Sequence, residues 1–115
     1  MELKMKSREV KDVIVIDLSG RVTMGEPCKA IRDEIHDQLG QGARKILVNL
    51  GEVTYIDSAG LGELTSAYTS VKNRDGALKL VNLTKRVHDL MQITKLYTVF
   101  DVFDDEKTAL ASFGA

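Results

Sequence analysis

Leu3 and Met5 alternate with Lys4, Lys6 and Arg8, a period of two that predicts a strand with its cations on one face. Two readings fit those cations: a solvated sheet edge blunted by Lys and Arg, or a basic docking strip. Val13-Ile14-Val15-Ile16 is a continuous β-branched run and predicts a strand covered on both faces. Lys11-Asp12 between the two fits a hairpin turn, although it lacks the favoured glycine. Gly20 to Gly25 reads as a loop, and Pro27 stands where a first helical residue belongs. Cys28, Ile31, Ile35 and Leu39 follow at spacings of three and four, the apolar stripe of a helix that Gly40 and Gly42 stop.

The alternation of strand and helix then repeats. Lys45 to Leu50 is a short apolar run bounded by Gly42 and Gly51, read as a buried parallel strand. A helix is expected from about Ser58, with Leu61, Leu64, Tyr68 and Val71 as its stripe and Asp75-Gly76 as its end. Ala77 to Leu83 is a strand, and Thr84 caps a helix carrying Val87, Leu90, Met91 and Thr94. Thr98 to Phe103 is the last strand. Asp104-Asp105-Glu106 places negative charge on the first turn of a final helix that buries Ala109, Leu110 and Phe113. The order ββαβαβαβα predicts an α/β fold, a single small domain over residues 1–115 with a mixed, mostly parallel sheet flanked by helices.

Composition narrows the function. The chain has 115 residues, 43% hydrophobic and 29% charged, as in a folded globular domain. Sixteen Lys and Arg against 17 Asp and Glu leave a formal charge of -1, without the basic excess of a nucleic-acid binder. One cysteine forms no internal disulfide, and Cys28, His36 and His88 cannot complete a four-ligand zinc site. No apolar run approaches the ~18 residues of a membrane span, and Met1-Glu2-Leu3-Lys4 has no apolar signal core. A cytoplasmic domain is expected. Cys28 reads as a small core residue, and His36 and His88 as surface or boundary residues. The acidic run Asp101, Asp104, Asp105 and Glu106 reads as a solvated helix start rather than a metal site.

Val53 to Gly62 carries the candidate chemistry. It follows a buried strand and opens a helix, with Asp57 and Ser58 both able to cap and Ser58 the better placed by the apolar stripe. Gly60 and Gly62 fall in the first helical turns, where each costs about 1 kcal/mol against alanine. Bare backbone there suits a docking surface around one hydroxyl, or close packing on the sheet. Intrinsic catalysis is not expected. A nucleophile elbow needs glycine where Ile56 stands, and His36 and His88 lie within helices. Gly60-Leu61-Gly62 also lacks the Lys-Ser/Thr pair of a phosphate-binding loop.

Asp57-Ser58-Ala59-Gly60-Leu61-Gly62 resembles the signature of the STAS-domain anti-sigma factor antagonists, and the likeness extends over nearly the whole chain. The resemblance implies one STAS-like domain that works as a partner switch. The unphosphorylated protein binds an anti-sigma factor that is itself a serine kinase and so frees a sigma factor. Phosphorylation of the matching serine, Ser58, abolishes binding, and a phosphatase resets it. The resemblance implies no enzyme activity and no cofactor or metal of its own, ATP and Mg²⁺ belonging to the kinase, and no nucleic-acid or membrane partner. Many members carry an acidic residue about three positions after the glycine ending the second strand, where this chain has Thr23. A non-switching STAS scaffold, with Ser58 only a helix cap, is the alternative.

Loops at the carboxyl ends of parallel strands gather on one face. Thr23, Met24, Gly25, Asn82 and Thr84 are therefore expected near Ser58. With Asp57, Ala59, Gly60, Leu61 and Gly62 they make up the expected partner-binding surface. Met24 is either an apolar anchor or a loop residue tucked on the core, and Tyr55 either packs the loop or faces the partner.

Overall fold

The computed structural model describes residues 3–114. Five strands and four helices follow one another as β1 (Leu3–Val10), β2 (Val13–Val22), α1 (Glu26–Gly40), β3 (Lys45–Ile56), α2 (Ser58–Asn73), β4 (Ala77–Val81), α3 (Lys85–Thr94), β5 (Val102–Phe103) and α4 (Glu106–Ala111). A 3₁₀ turn at Leu96–Thr98 links α3 to β5. The sheet order β1-β2-β3-β4-β5 is the chain order. Only the β1–β2 pair is antiparallel, so the expected mixed, mostly parallel sheet is what forms.

The hairpin closes at Val10–Val13 through Lys11 and Asp12, both left-handed at φ 49° and 64°. Two such residues form the turn whose twist matches the strands, and the chain adopts it without glycine. Side chains then alternate across β2, β3 and β4. Ile16, Leu18, Ile46, Val48, Leu50, Leu78 and Leu80 join the stripes of α1, α2 and α3 in the larger core. Val13, Val15, Leu47 and Val81 face the other way and pack with Ala109, Leu110 and Phe113 around α4. The Cys28, Ile31, Ile35 and Leu39 stripe is buried as its spacing predicts. On the α4 side Arg8 donates to Asp17 at 2.8 Å and to Glu106, tying the edge strand to the last helix. Lys4 and Lys6 stay exposed, so the solvated-edge reading holds for them and not for Arg8.

The expectation fails at the element ends. β2 does not stop before Gly20, and β3 runs past Gly51 to Ile56. The two pair as far as Val22–Ile56, with register shifts between Asp17 and Ser19 and between Gly20 and Arg21. Bulged pairing sustains strands across glycines that break local propensity. β4 ends at Val81, because Asn82 turns left-handed at φ 61°. β5 is two residues rather than the span Thr98 to Phe103, the 3₁₀ turn taking up its expected start. The first residue of α1 is Glu26, with Pro27 one position later.

β3 pairs with β4 only from Lys45–Ala77 to Asn49–Val81. Among the described residues β1 accompanies β2 from Val13 to Gly20. Among the described residues the final pairs, Arg21–Tyr55 and Val22–Ile56, form a two-stranded ribbon that runs beyond the end of β4 and delivers the chain to α2.

Candidate functional site

Asp57, not Ser58, caps α2. Its backbone is extended, and its Oδ1 accepts the Gly60 N–H at 2.8 Å. Its Oδ2 accepts the Met24 N–H at 3.0 Å, and its own N–H donates to the Val22 carbonyl at 3.2 Å. One carboxylate therefore satisfies an orphan donor of the helix and fastens the β2–α1 loop beside it. These N–H groups, Gly60 first and Met24 second, hold the Asp57 carboxyl below its usual range. Both carboxylate oxygens are thus engaged by backbone donors.

Ser58 is left as the first residue of the helix. It is exposed, and among the described residues none hydrogen-bonds its hydroxyl. The apolar stripe favours Ser58 as the cap, and the structure places the cap one residue earlier. The spacing favours Asp57, whose side chain reaches the N–H three residues on.

The two glycines have different reasons. A Cβ on Gly60 would lie 2.3 Å from the Val22 carbonyl oxygen and 2.8 Å from Ile56 Cγ1. Gly60 thus lets α2 sit against the ribbon, and packing, not docking, explains it. A Cβ on Gly62 meets nothing within 4 Å, so Gly62 is bare outer surface. Leu61 is 4% exposed and belongs to the core, which removes it and Gly60 from the expected docking surface. Ala59 is half-buried.

Around Ser58 the structure gathers some of the expected loop residues. Met24 is 76% exposed, held next to the α2 start by its N–H bond to Asp57. Thr23 precedes it, half-buried, and Gly25 ends the loop left-handed at φ 94°. Thr84 accepts the Val87 N–H at 3.3 Å and caps α3, the expected role. Asn82 lies elsewhere. It donates to Asn49 Oδ1 at 3.1 Å and crowds Gly51, where β4 stops. Six residues of β3 lie between Asn49 and Ile56, roughly 20 Å of extended chain. β3 outruns β4, so the end of β4 is not level with Ser58.

A groove of about 820 Å³ runs between the ribbon and α3. Tyr55, Ile56, Asp57 and Ser58 form one wall, and Lys85, Arg86, Asp89, Leu90 and Ile93 form the other. Two guanidinium groups lie over the Tyr55 ring, Arg21 at 4.4 Å and Arg86 at 5.4 Å from its centre. Ile93 is 79% exposed. Sequence reasoning missed this wall. Its one visible signal was Ile93, an apolar residue outside the buried Val87–Met91 stripe.

His36 and His88 are exposed on α1 and α3, neither lining the groove, and Cys28 is buried. Among the described residues no cluster of His, Cys, Asp or Glu could hold a metal ion. No described helix is long and apolar enough to cross a membrane.

This hydroxyl, the capping aspartate beneath it and the close glycine lie inside one recognised pattern. The STAS domain pattern matches residues 4–109. The chain belongs to the STAS domain family. This STAS domain is 28% identical to the anti-sigma-B factor antagonist of Bacillus subtilis over 102 residues, covering 89% of this chain and 92% of that protein. Its fold matches the crystal structure of an anti-sigma factor antagonist from Mycobacterium paratuberculosis with a TM-score of 0.83 at 17% identity, over 96% of this chain and 93% of that one. It also matches the phosphorylated form of the Bacillus cell fate determinant SpoIIAA with a TM-score of 0.74 at 21% identity, over 95% and 98% of the two chains. Those likenesses establish the STAS fold.

Proposed function

We propose that this STAS domain is an anti-sigma factor antagonist whose hold on an anti-sigma factor serine kinase is controlled by phosphorylation of Ser58. The observation that carries the reading is the exposed, unengaged Ser58 hydroxyl at the start of α2, with exposed Met24 to one side and the Ile93 groove to the other. Exposed apolar groups flanking a modifiable hydroxyl suit a docking surface with a switch inside it. The names of the similar proteins support the partner class.

In the transfer, Ser58 Oγ bonds to the terminal phosphorus of ATP as the bond to ADP breaks, and the hydroxyl proton passes to a base of the kinase. The product adds about -1.5 to -2 charge. A helix N-terminus accommodates that charge, so the domain stays folded. The effect falls on the interface, where burying the phosphate against a partner costs several kcal/mol. A loss of about 3 kcal/mol weakens binding more than 100-fold. A phosphatase acting on phospho-Ser58 restores the binding form, and the exchange takes place in the cytoplasm.

The test is incubation with ATP and candidate anti-sigma factor kinases from the same genome, with mass analysis of Ser58 peptides and affinity measured by calorimetry. The parent and Ser58→Ala bind alike. The phosphoprotein and Ser58→Asp bind at least 100-fold more weakly. Equal binding by all four forms refutes the switch, and binding without any phosphate gain leaves the non-switching scaffold.

A further inference from the structure

We infer that Arg86, assisted by Lys85, captures the phosphate of phospho-Ser58 within the same molecule, an assignment that rests on the phosphorylation of Ser58 proposed above. The two cations stand across the groove from Ser58, at the first two positions of α3. That is the end of a helix where the backbone dipole disfavours positive charge. The first turn of α3 holds no acidic residue to offset them. A sequence arranged only to form this helix would reverse the choice, and local rules broken in this way mark functional positions. The starts of α2 and α3 both line the groove, so two helix dipoles add to the two side chains there.

The commitments of the charged groups decide which of them is available. Asp57 is engaged by the Gly60 and Met24 N–H groups. Asp89 pairs with Lys85 at 2.8 Å, an exposed i,i+4 pair that solvent screens and that is easily exchanged. Among the described residues no carboxylate pairs with Arg86. Arg86 lies over Tyr55, three residues before Ser58, so the ring holds the guanidinium at the wall of the groove. A guanidinium so placed has the planar fork that binds phosphate oxygens in pairs. Capture removes Arg86 and Lys85 from the docking face while the phosphate adds its own bulk and charge.

The test uses the full chain with phosphoserine encoded genetically at position 58, so it does not depend on any kinase. The second ionisation of the phosphate, ordinarily near pH 6, is followed by ³¹P NMR. In the parent the midpoint falls below that of a phosphoserine peptide of residues 55–61 by roughly half to one pH unit, as an exposed cation pair demands. Arg86→Ala with Lys85→Ala cuts the shift to the remainder that the helix termini supply, Arg86→Lys keeps more of it, and 0.5 M salt reduces it. Lys107→Ala, on α4, leaves it unchanged. A parent midpoint equal to that of the peptide, or to that of the double variant, overturns the inference. Failure of every kinase to modify Ser58 would refute the switch and leave the titration result standing.

Discussion

Replacing Gly60 and Gly62 by alanine, one at a time, separates two explanations for glycine at a helix start. At Gly60 the added methyl would sit 2.3 Å from the Val22 carbonyl oxygen, 2.8 Å from Ile56 Cγ1 and 2.9 Å from Val22 Cγ1. Carbon approaches a carbonyl oxygen to about 3.3 Å, so α2 must retreat by about 1 Å or the ribbon must open. The obstacle is backbone, which cannot step aside as a flexible side chain does. Overpacking of this kind costs about 1–3 kcal/mol. The retreat also stretches the Asp57 N–H bond to Val22, already 3.2 Å, worth about 1 kcal/mol. Alanine returns about 1 kcal/mol in helix propensity. The net expectation for Gly60→Ala is a loss of about 1–3 kcal/mol, or a melting temperature lower by roughly 5–15 °C for a domain near this size. At Gly62 the methyl meets open space, so only the propensity gain remains and stability rises by up to about 1 kcal/mol. Urea unfolding followed by far-ultraviolet circular dichroism at pH 7 measures both, with an unchanged denaturant slope as the check on compactness. The reasoning fails if Gly60→Ala is as stable as the parent, or if the two variants shift alike.

Asp57→Asn keeps an acceptor for Gly60 but turns an amide donor toward the Met24 N–H, for a loss of about 1–2 kcal/mol at pH 7. The Asp57 carboxyl is depressed in the folded protein below its ordinary 3.8, so the unfolded chain takes up the proton first as pH falls. The parent's margin over the variant is therefore complete above that ordinary value and shrinks as pH falls through the folded one. Urea midpoints at pH 7, 5, 3.5 and 2.5 measure it, and a margin independent of pH contradicts the assignment. Lys95 ends α3 with φ 61°, where a Cβ costs about 1 kcal/mol, so Lys95→Gly raises stability by about 0.5–1 kcal/mol. A fall in its melting temperature would show that the lysine side chain contributes what its backbone lacks.

The stripes of α1 and α2 were legible because burial and helical period coincide in them, and Leu61 shows how far that signal reaches. It belongs both to a stripe and to a signature motif, and the stripe decides where it goes. The far halves of β2 and β3 were illegible, since Gly20, Gly51, Glu52 and Thr54 interrupt any local pattern. They are strands because each supplies the other's hydrogen bonds across the bulges, a property of the pair. The motif pointed to Ser58 while misassigning the cap, because serine and aspartate cap almost equally well and one residue of offset decides between them. Arg86 beside Tyr55 joins residues far apart in sequence and leaves no periodic trace. Asn82 went astray for want of strand lengths, which set which loop ends are level.

The sheet's strand order has a consequence for the life of the chain on and after the ribosome. Because strands are laid down in the order they are made, each joins an edge already present, and none has to be inserted between two others. Local addition of this kind favours rapid folding and gives a nascent chain few mispaired alternatives. It also makes thermal fraying directional: the two-residue β5 and the outer hairpin strand lie at opposite margins. β3, which delivers Ser58, is the middle strand of five and gives way last from either side. Ser58 is therefore presented in the same way even in a molecule whose margins are transiently open.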